Sequence, residues 1–448
     1  MKTNVSVFNF SGGIHPAYNK ELSAEAPIRP IALPRILTVP MAQHIGAPAK
    51  PVVKHGDLVK RCQLLGEADG RVSASVHAPA AGKVVGISQT VTAAGVACAA
   101  VVIETLASDE AEQFLPIADW RKADRAVLLG RVSGAGIVGM GGAGFPTQVK
   151  LTPPAEQPVD TLILNGAECE PYLTADHRMM LEHAEAIRTG AEIARAILGA
   201  KTLRVAIEDN KPEAIAAMEK AFAGVAGDAE IVVLKTAYPQ GAEKQQIFSV
   251  TGREVPRGGL PRDVGCVMEN VSTAYAIYDA VVRGLPLTHR TITVSGDAAE
   301  SPSNLWVPNG TAYADLVAAC GGAKGQAVKV VSGGPMMGFA VNALNVPTCK
   351  TTSGVLLLSE ARVTAFTSQA CIACGRCLDA CPMRLVPSEL SQCIEADDIE
   401  SARSIGLMDC IECGSCAYVC PARRPLVHHF RRGKAVIARH RAEAGSKR

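Results

Sequence analysis

The chain has 448 residues, of which 48% are apolar, 20% charged and 4% aromatic, with a formal net charge of +2. This length accommodates two to four domains with real hydrophobic cores, and the near-neutral balance with few aromatics argues against nucleic acid as a partner. No apolar run approaches the ~20 residues of a membrane span, and the first twenty residues lack a signal-peptide h-region, so any membrane association is expected to go through partners.

In chain order, residues 30 to about 105 are rich in Val, Pro and Gly and show no helical period. "PVVKHGDLVKRCQLLG" and then "VHAPAAGKVVGI" predict two matched strand pairs with Gly-Asp and Ala-Gly turns. The stretch resembles the lipoyl or biotinyl carrier fold, a small flattened barrel, and residues 1–115 are assigned to a barrel-sandwich β domain. A carrier needs a lysine at an exposed hairpin tip. The corresponding "EADGRVSAS" has none, which favours a structural role over lipoylation.

Residues 116–283 change to alternating elements: "TLILNG" as strand, "HRMMLEHAEAIRTGAEIARAIL" as a long amphipathic helix, then "LRVAIED", "KPEAIAAMEKAFAG" and "EIVVLKT" as strand, helix, strand. This predicts an α/β domain on a largely parallel sheet. Residues 284–350 read as a smaller α+β unit of ubiquitin-like (SLBB) type, residues 360–430 hold paired cysteine runs, and residues 431–448 form a strongly basic tail. A solvated helix is the leading reading of that tail. Docking on an acidic partner or anionic lipid is the second.

"SGAGIVGMGGAGFPTQVKL" contains Gly134, Gly136 and Gly139 in the order GxGxxG. The dinucleotide fingerprint requires a strand before it and a helix after it, but the preceding "DWRKADRAVLLGRV" reads as a helix, which disfavours that interpretation. A glycine run has another use: without Cβ atoms, the backbone can approach a flat ring or phosphate and aim its amides at it. Lys150 could add a positive charge for a phosphate. A tight packing turn is the plainer alternative. From the residues alone, Glu168 and Glu170 read equally well as solvated loop charges.

Four ordered motifs carry a resemblance. "GMGGAGFPTQVK" (139–150) is similar to the flavin loop of the NADH-oxidising subunit of respiratory complex I, and "NGAECEP" (165–171) to that family's asparagine and acidic loop. "YPQGAEK" (238–244) resembles its tyrosine–glycine–glutamate loop, and "ENVST" (269–273) its asparagine-rich helix start. With "FSGGIHP" near the N-terminus, the barrel-like segment and the terminal cysteine runs, nearly the whole chain resembles the C-subunit family of Rnf (Rsx) ion-translocating electron transport complexes. The resemblance implies that Gly139, Gly141, Gly142 and Gly144 line FMN and that Lys150 contacts its phosphate. It implies further that Asn165, Glu168, Asn270 and Thr273 hold the flavin, that Phe145 lies near the nicotinamide, and that Glu170 and Glu243 contact NADH. Tyr238 and Gly241 belong to the same expected site. Met140 stands where complex I carries arginine, and Lys244 replaces an acidic-loop neighbour.

"CIACGRCLDACP" (371–382) and "CIECGSCAYVCP" (410–421) share the spacing C-x2-C-x2-C-x3-C-P, which matches the bacterial pattern for [4Fe–4S] clusters. Zinc, which often takes two separated CxxC pairs, is the weaker competitor. In two-cluster ferredoxins the fourth cysteine crosses over. One cluster is therefore expected on Cys371, Cys374, Cys377 and Cys420, the other on Cys410, Cys413, Cys416 and Cys381. The remaining seven of the 15 cysteines lack ligand spacing and are expected as buried thiols in a reducing cytoplasm.

These readings combine into a peripheral subunit on the cytoplasmic side of a bacterial inner membrane. It would oxidise NADH with FMN and two [4Fe–4S] clusters and pass electrons to integral-membrane and ferredoxin-like partner subunits. A flavin suits that position because hydride delivers two electrons together and clusters accept them singly. Two alternatives stand beside this reading: an electron relay or scaffold without nucleotide binding, and a flavin/iron–sulfur enzyme of cobalamin-reductase type.

Overall fold

The computed structural model describes residues 2–446 apart from 109, 113 and 368; positions 447 and 448 of the expected basic tail lie outside the described residues. The central unit is built on five parallel strands: β1 (Lys2–Val5), β2 (Thr161–Asn165), β3 (Thr202–Glu208), β4 (Asp228–Leu234) and β5 (Cys266–Asn270), in the order β1-β4-β3-β2-β5. A parallel sheet covered on both faces needs near-continuous apolar strands, and β2, "TLILN", is buried at all five positions. Its residues alternate between two cores. Leu162 and Leu164 face helices α1 (Arg125–Gly134), α2 (Ala175–Glu182), α3 (Ala184–Leu198) and α4 (Pro212–Phe222). Ile163 faces Ile247 of α5 (Glu243–Thr251).

From β2 the chain adds β3 and β4 on one side, then returns to place β5 on the other. Such a reversal opens a crevice at the carboxyl ends of the strands, and here it lies between β2 and β5. Helix α6 (Val271–Tyr278) leaves β5 directly into this crevice. Gly190 of α3 lets α6 come close, because a Cβ there would lie 1.8 Å from the Ala274 carbonyl.

The N-terminal barrel comprises an antiparallel four-stranded sheet and a three-stranded one within residues 36–105, closed over Leu37, Val39, Leu65, Val84 and Ile103. The expected 1–115 unit holds more than this barrel. β1 completes the central sheet beside β4, and Ile28–Pro30 edges a second sheet by pairing with Ser303–Pro308. That second, six-stranded mixed sheet is the small α+β unit, and it runs on to Gly354–Leu358, past the expected boundary at 350.

The C-terminal unit is an internal duplication. Each cysteine run carries a left-handed residue after its first cysteines (Ala373 φ 53°, Glu412 φ 57°), a left-handed glycine opening a one-turn helix (Gly375, Gly414), and a left-handed arginine (Arg384, Arg423). Helix Pro387–Glu395 follows the first run, and helix Leu426–Ser446 takes the same place after the second. The two pack through Leu390, Ile394, Leu426, Phe430 and Ile437. The first turns of the basic tail are thus not detached: Arg431 and Lys434 both bond Glu412, at 2.9 and 2.8 Å, and Arg432 pairs with Asp397.

Candidate functional site

The crevice between β2 and β5 collects most of the residues expected at a flavin. Asn165 and Asn270 end the two adjacent strands as register partners. Asn165 donates to the Gly241 carbonyl at 3.0 Å and accepts from the amide of Ala167 and from Gln246. Asn270 caps α6 by accepting from the Ser272 amide at 2.8 Å, as a short polar side chain does at a helix start, and donates to Asp176 at 2.6 Å. The glycine loop lies across them. The Gly139 amide donates to the Phe145 carbonyl at 2.9 Å, and the Met140 amide to Thr273 Oγ1 at 2.9 Å. Gly141 rests on Asn270, where a Cβ would meet its side chain at 2.9 Å. Gly141 and Gly142 are exposed and Gly144 is buried. The result is a bare backbone ledge above two carboxamides.

Lys150 follows this ledge. Its ammonium lies 3.2 Å from Glu243 and 2.9 Å from the Met268 carbonyl. Burial works against its charge, but Glu269 and Glu243 outweigh it and raise the lysine above its ordinary value.

The acidic loop does other work. Glu168, held at φ 45°, caps α2: its carboxylate accepts from the Asp176 and His177 amides at 2.8 and 3.0 Å. Glu170 accepts from the Met336 and Met337 amides at 3.1 and 2.8 Å, and burial pushes it up to about 7. Tyr238 is fully buried and turns toward the second cysteine run, donating to the Cys413 carbonyl at 2.7 Å. Glu170 and Glu243, expected together at NADH, therefore take separate partners.

Several residues that shape the site have no sequence signal. The ammonium of Lys20 donates to the carbonyls of Glu168, Glu170 and Leu173, and that of Lys211 to Ala167. With the loop's carbonyls drawn to these lysines, its shape is fixed from behind. Asp176 accepts from Asn270 and from Ser272, both at 2.6 Å, and is pushed up to about 6 by burial and by Glu168. Lys350, fully buried, joins the barrel to the glycine stretch through the Ser75 and Gly136 carbonyls.

Cys381, Cys410, Cys413 and Cys416 line one cavity, together with Pro382 and Phe430. Burial, then the neighbouring Cys413 and Cys381, push the Cys410 thiol up to about 11. Four such thiols cannot ionise together in an apolar pocket unless a cationic centre binds them, which suits an iron–sulfur cluster. Among the described residues no group of His, Cys, Asp or Glu is placed to hold a single metal ion. In the first run, Cys371 lies near Cys377 and Cys374 is exposed. Cys393 is half-buried, and the other six cysteines are buried free thiols.

The two sites touch through a small apolar cluster. Cys169 and Tyr238 from the central unit pack with Ala380 and Cys413, and Cys169 Sγ accepts the Gly241 amide at 3.3 Å.

Family models match along the chain: the RnfC barrel sandwich hybrid domain at 8–108, the Nuo51 FMN-binding domain at 132–279, the SLBB domain at 291–340 and a 4Fe-4S dicluster domain at 365–421. The C subunit of the proton-translocating ferredoxin:NAD(+) oxidoreductase complex of Clostridium ljungdahlii is 49% identical, over 94% of this chain and 93% of its own length. The chain belongs to the C-subunit family of ion-translocating oxidoreductase complexes. Two further members of this family are each 43% identical. The one from Rhodobacter capsulatus covers 96% of this chain and 83% of its own length, and that of the Na(+)-translocating complex of Acetobacterium woodii 97% and 98%. An NAD+-reducing [NiFe]-hydrogenase shares the fold at a TM-score of 0.50 and 22% identity, over 71% of this chain and 64% of that one. The family's order of domains is the one read from the sequence, with the flavin unit between the barrel and the cysteine runs.

Proposed function

We propose that this chain is the peripheral NADH-oxidising subunit of an Rnf-type membrane complex, exchanging electrons between NAD(H) and partner subunits in a reaction coupled to ion translocation. The observation that carries this reading is the buried contact of Cys169 and Tyr238 with Cys413, which joins the crevice to a cysteine-lined cavity through direct packing. Bound FMN supplies the exchange between two-electron and one-electron chemistry, and [4Fe–4S] clusters supply the one-electron steps.

The chain's own residues would act as follows. Gly141 and Gly142 let the backbone approach the flavin. Asn165 and Asn270 present carboxamides fixed by their neighbours, and Thr273 holds the Met140 amide in line. Lys150 offers its charge to the phosphate, displacing Glu243. Phe145 and Glu243 stand at the rim for NADH, whereas Glu168 contributes through its hold on α2 and Glu170 through its hold on the Met336 and Met337 amides. Cys381, Cys410, Cys413 and Cys416 would hold the cluster nearer the flavin. By the symmetry of the duplication, Cys371, Cys374, Cys377 and Cys420 would hold the other, and exposed Cys374 sets it toward partners. Among the described residues no helix is long and apolar enough to cross a membrane; in this reading the chain attaches on the cytoplasmic face through other subunits.

The test is flavin, iron and sulfide analysis of anaerobically prepared protein, followed by NADH titration monitored by absorbance and EPR. Lys150→Ala is expected to lose FMN and keep both clusters; unchanged flavin content would sink the phosphate assignment.

A further inference from the structure

Where the flavin phosphate is placed, one cation serves two acids. Lys150 reaches Glu243 at 3.2 Å. Glu269, adjacent to its other partner Met268, is 2% exposed, and neither carboxylate oxygen has a hydrogen-bond partner. The charged groups facing Glu269 are Lys150, from the helix after the glycine loop, and Glu243, from the start of α5. The Thr147 hydroxyl, one turn before Lys150, is also buried and unpaired. A fully enclosed carboxyl with two open oxygens awaits either a donor or a proton. Burial already pushes it up to about 7, and Lys150 alone draws it back.

A phosphate dianion on Lys150 would engage the one cation that Glu269 feels and add two negative charges nearby. A carboxylate cannot stay ionised there, whereas the neutral acid removes the repulsion and gains an O–H to donate. We propose that Glu269 is the proton-carrying partner of the cofactor phosphate, so that the chain takes up about one proton at this residue with each FMN it binds, and alkaline pH loosens the cofactor. The inference rests on the reading of Lys150 as the phosphate contact.

The test uses the full chain with both clusters in place and flavin removed, titrated calorimetrically with FMN between pH 7.5 and 9. In this range the phosphate is already a dianion, its second pKa being about 6. Paired buffers of different ionisation heat report the protons exchanged. The wild type is expected to take up about one proton per FMN, with Kd rising roughly tenfold per pH unit. Glu269→Gln should bind FMN with no proton uptake and a flat pH profile, and riboflavin should bind the wild type without a proton. Wild-type FMN binding without proton uptake overturns the proposal, even if the variant fails to fold, and so does uptake that persists in Glu269→Gln. If Lys150→Ala instead binds FMN as tightly as the wild type, it is the underlying phosphate assignment that fails.

Discussion

Tyr238→Phe isolates the contact between the central unit and the second cysteine run. The ring stays, so no cavity opens. What is lost is chiefly the 2.7 Å hydrogen bond from the Tyr238 hydroxyl to the Cys413 carbonyl, in a position closed to water, with a longer 3.5 Å contact to Glu170 beside it. Leaving such a carbonyl unpaired costs about 1–3 kcal/mol. That cost falls on the contact where the Gly13 amide donates to Ala380 at 3.0 Å and where Ile14 and Tyr238 exchange backbone bonds at 2.8 and 2.9 Å. If these amides exchange through local opening, the rates at Gly13 and Ile14 should rise roughly 5- to 150-fold, at 1.4 kcal/mol per factor of ten. Residue-resolved hydrogen exchange on anaerobic, cluster-loaded protein measures this. Tyr313→Phe is the control, since its buried hydroxyl pairs with Ser332 at 2.6 Å in the other sheet. Unchanged rates at Gly13 and Ile14 in Tyr238→Phe would refute the idea that this bond holds the two units together.

Three further outcomes are expected. Cys381→Ser and Cys371→Ser should each lower iron from about eight to about four atoms per chain but remove different EPR signals; loss of the same signal in both would exclude the crossed ligand sets. Truncation after residue 430 takes Arg431 and Lys434 from Glu412 and Ile437 from the core, so iron retention and melting temperature should both fall, while truncation after 440 leaves them unchanged. Glu269 is pushed from its ordinary 4.5 up to about 7 by burial. Folding of the flavin-free chain therefore takes up a proton between these values, and stability falls as pH rises through that window. Glu269→Gln should accordingly gain stability relative to the wild type from pH 5 to pH 8 in thermal unfolding, and parallel curves would contradict this.

The parts legible in the sequence are those whose physics is local. Three of each cluster's four ligands come from one short C-x2-C-x2-C stretch with the crossing cysteine close behind it, so the two runs announce themselves, and "TLILN" reads as a strand because a doubly covered strand cannot be polar. Other features are fixed by distant partners. "KTNV" carries no apolar face and is exposed along its length, yet its backbone completes a sheet. Thr174 stands where a helix cap belongs, but its hydroxyl goes to Asn304 at 3.0 Å and Glu168 caps α2 from outside the local pattern. Lys20, Lys211 and Lys350 look like surface charges until the carbonyls that satisfy them are known. The start of the basic tail misleads for the same reason: Arg431, Arg432 and Lys434 have acids waiting in the cysteine unit.

Strand β1 leaves the ribosome long before its neighbours, Glu230–Val233, which follow ~10–50 s later at 5–20 residues per second. Until then residues 2–5 have no sheet to join, and Ile28–Pro30 waits longer still for Ser303–Pro308. The segments 2–5 and 28–30 thus act as clasps, closed only after the strands they join have been made.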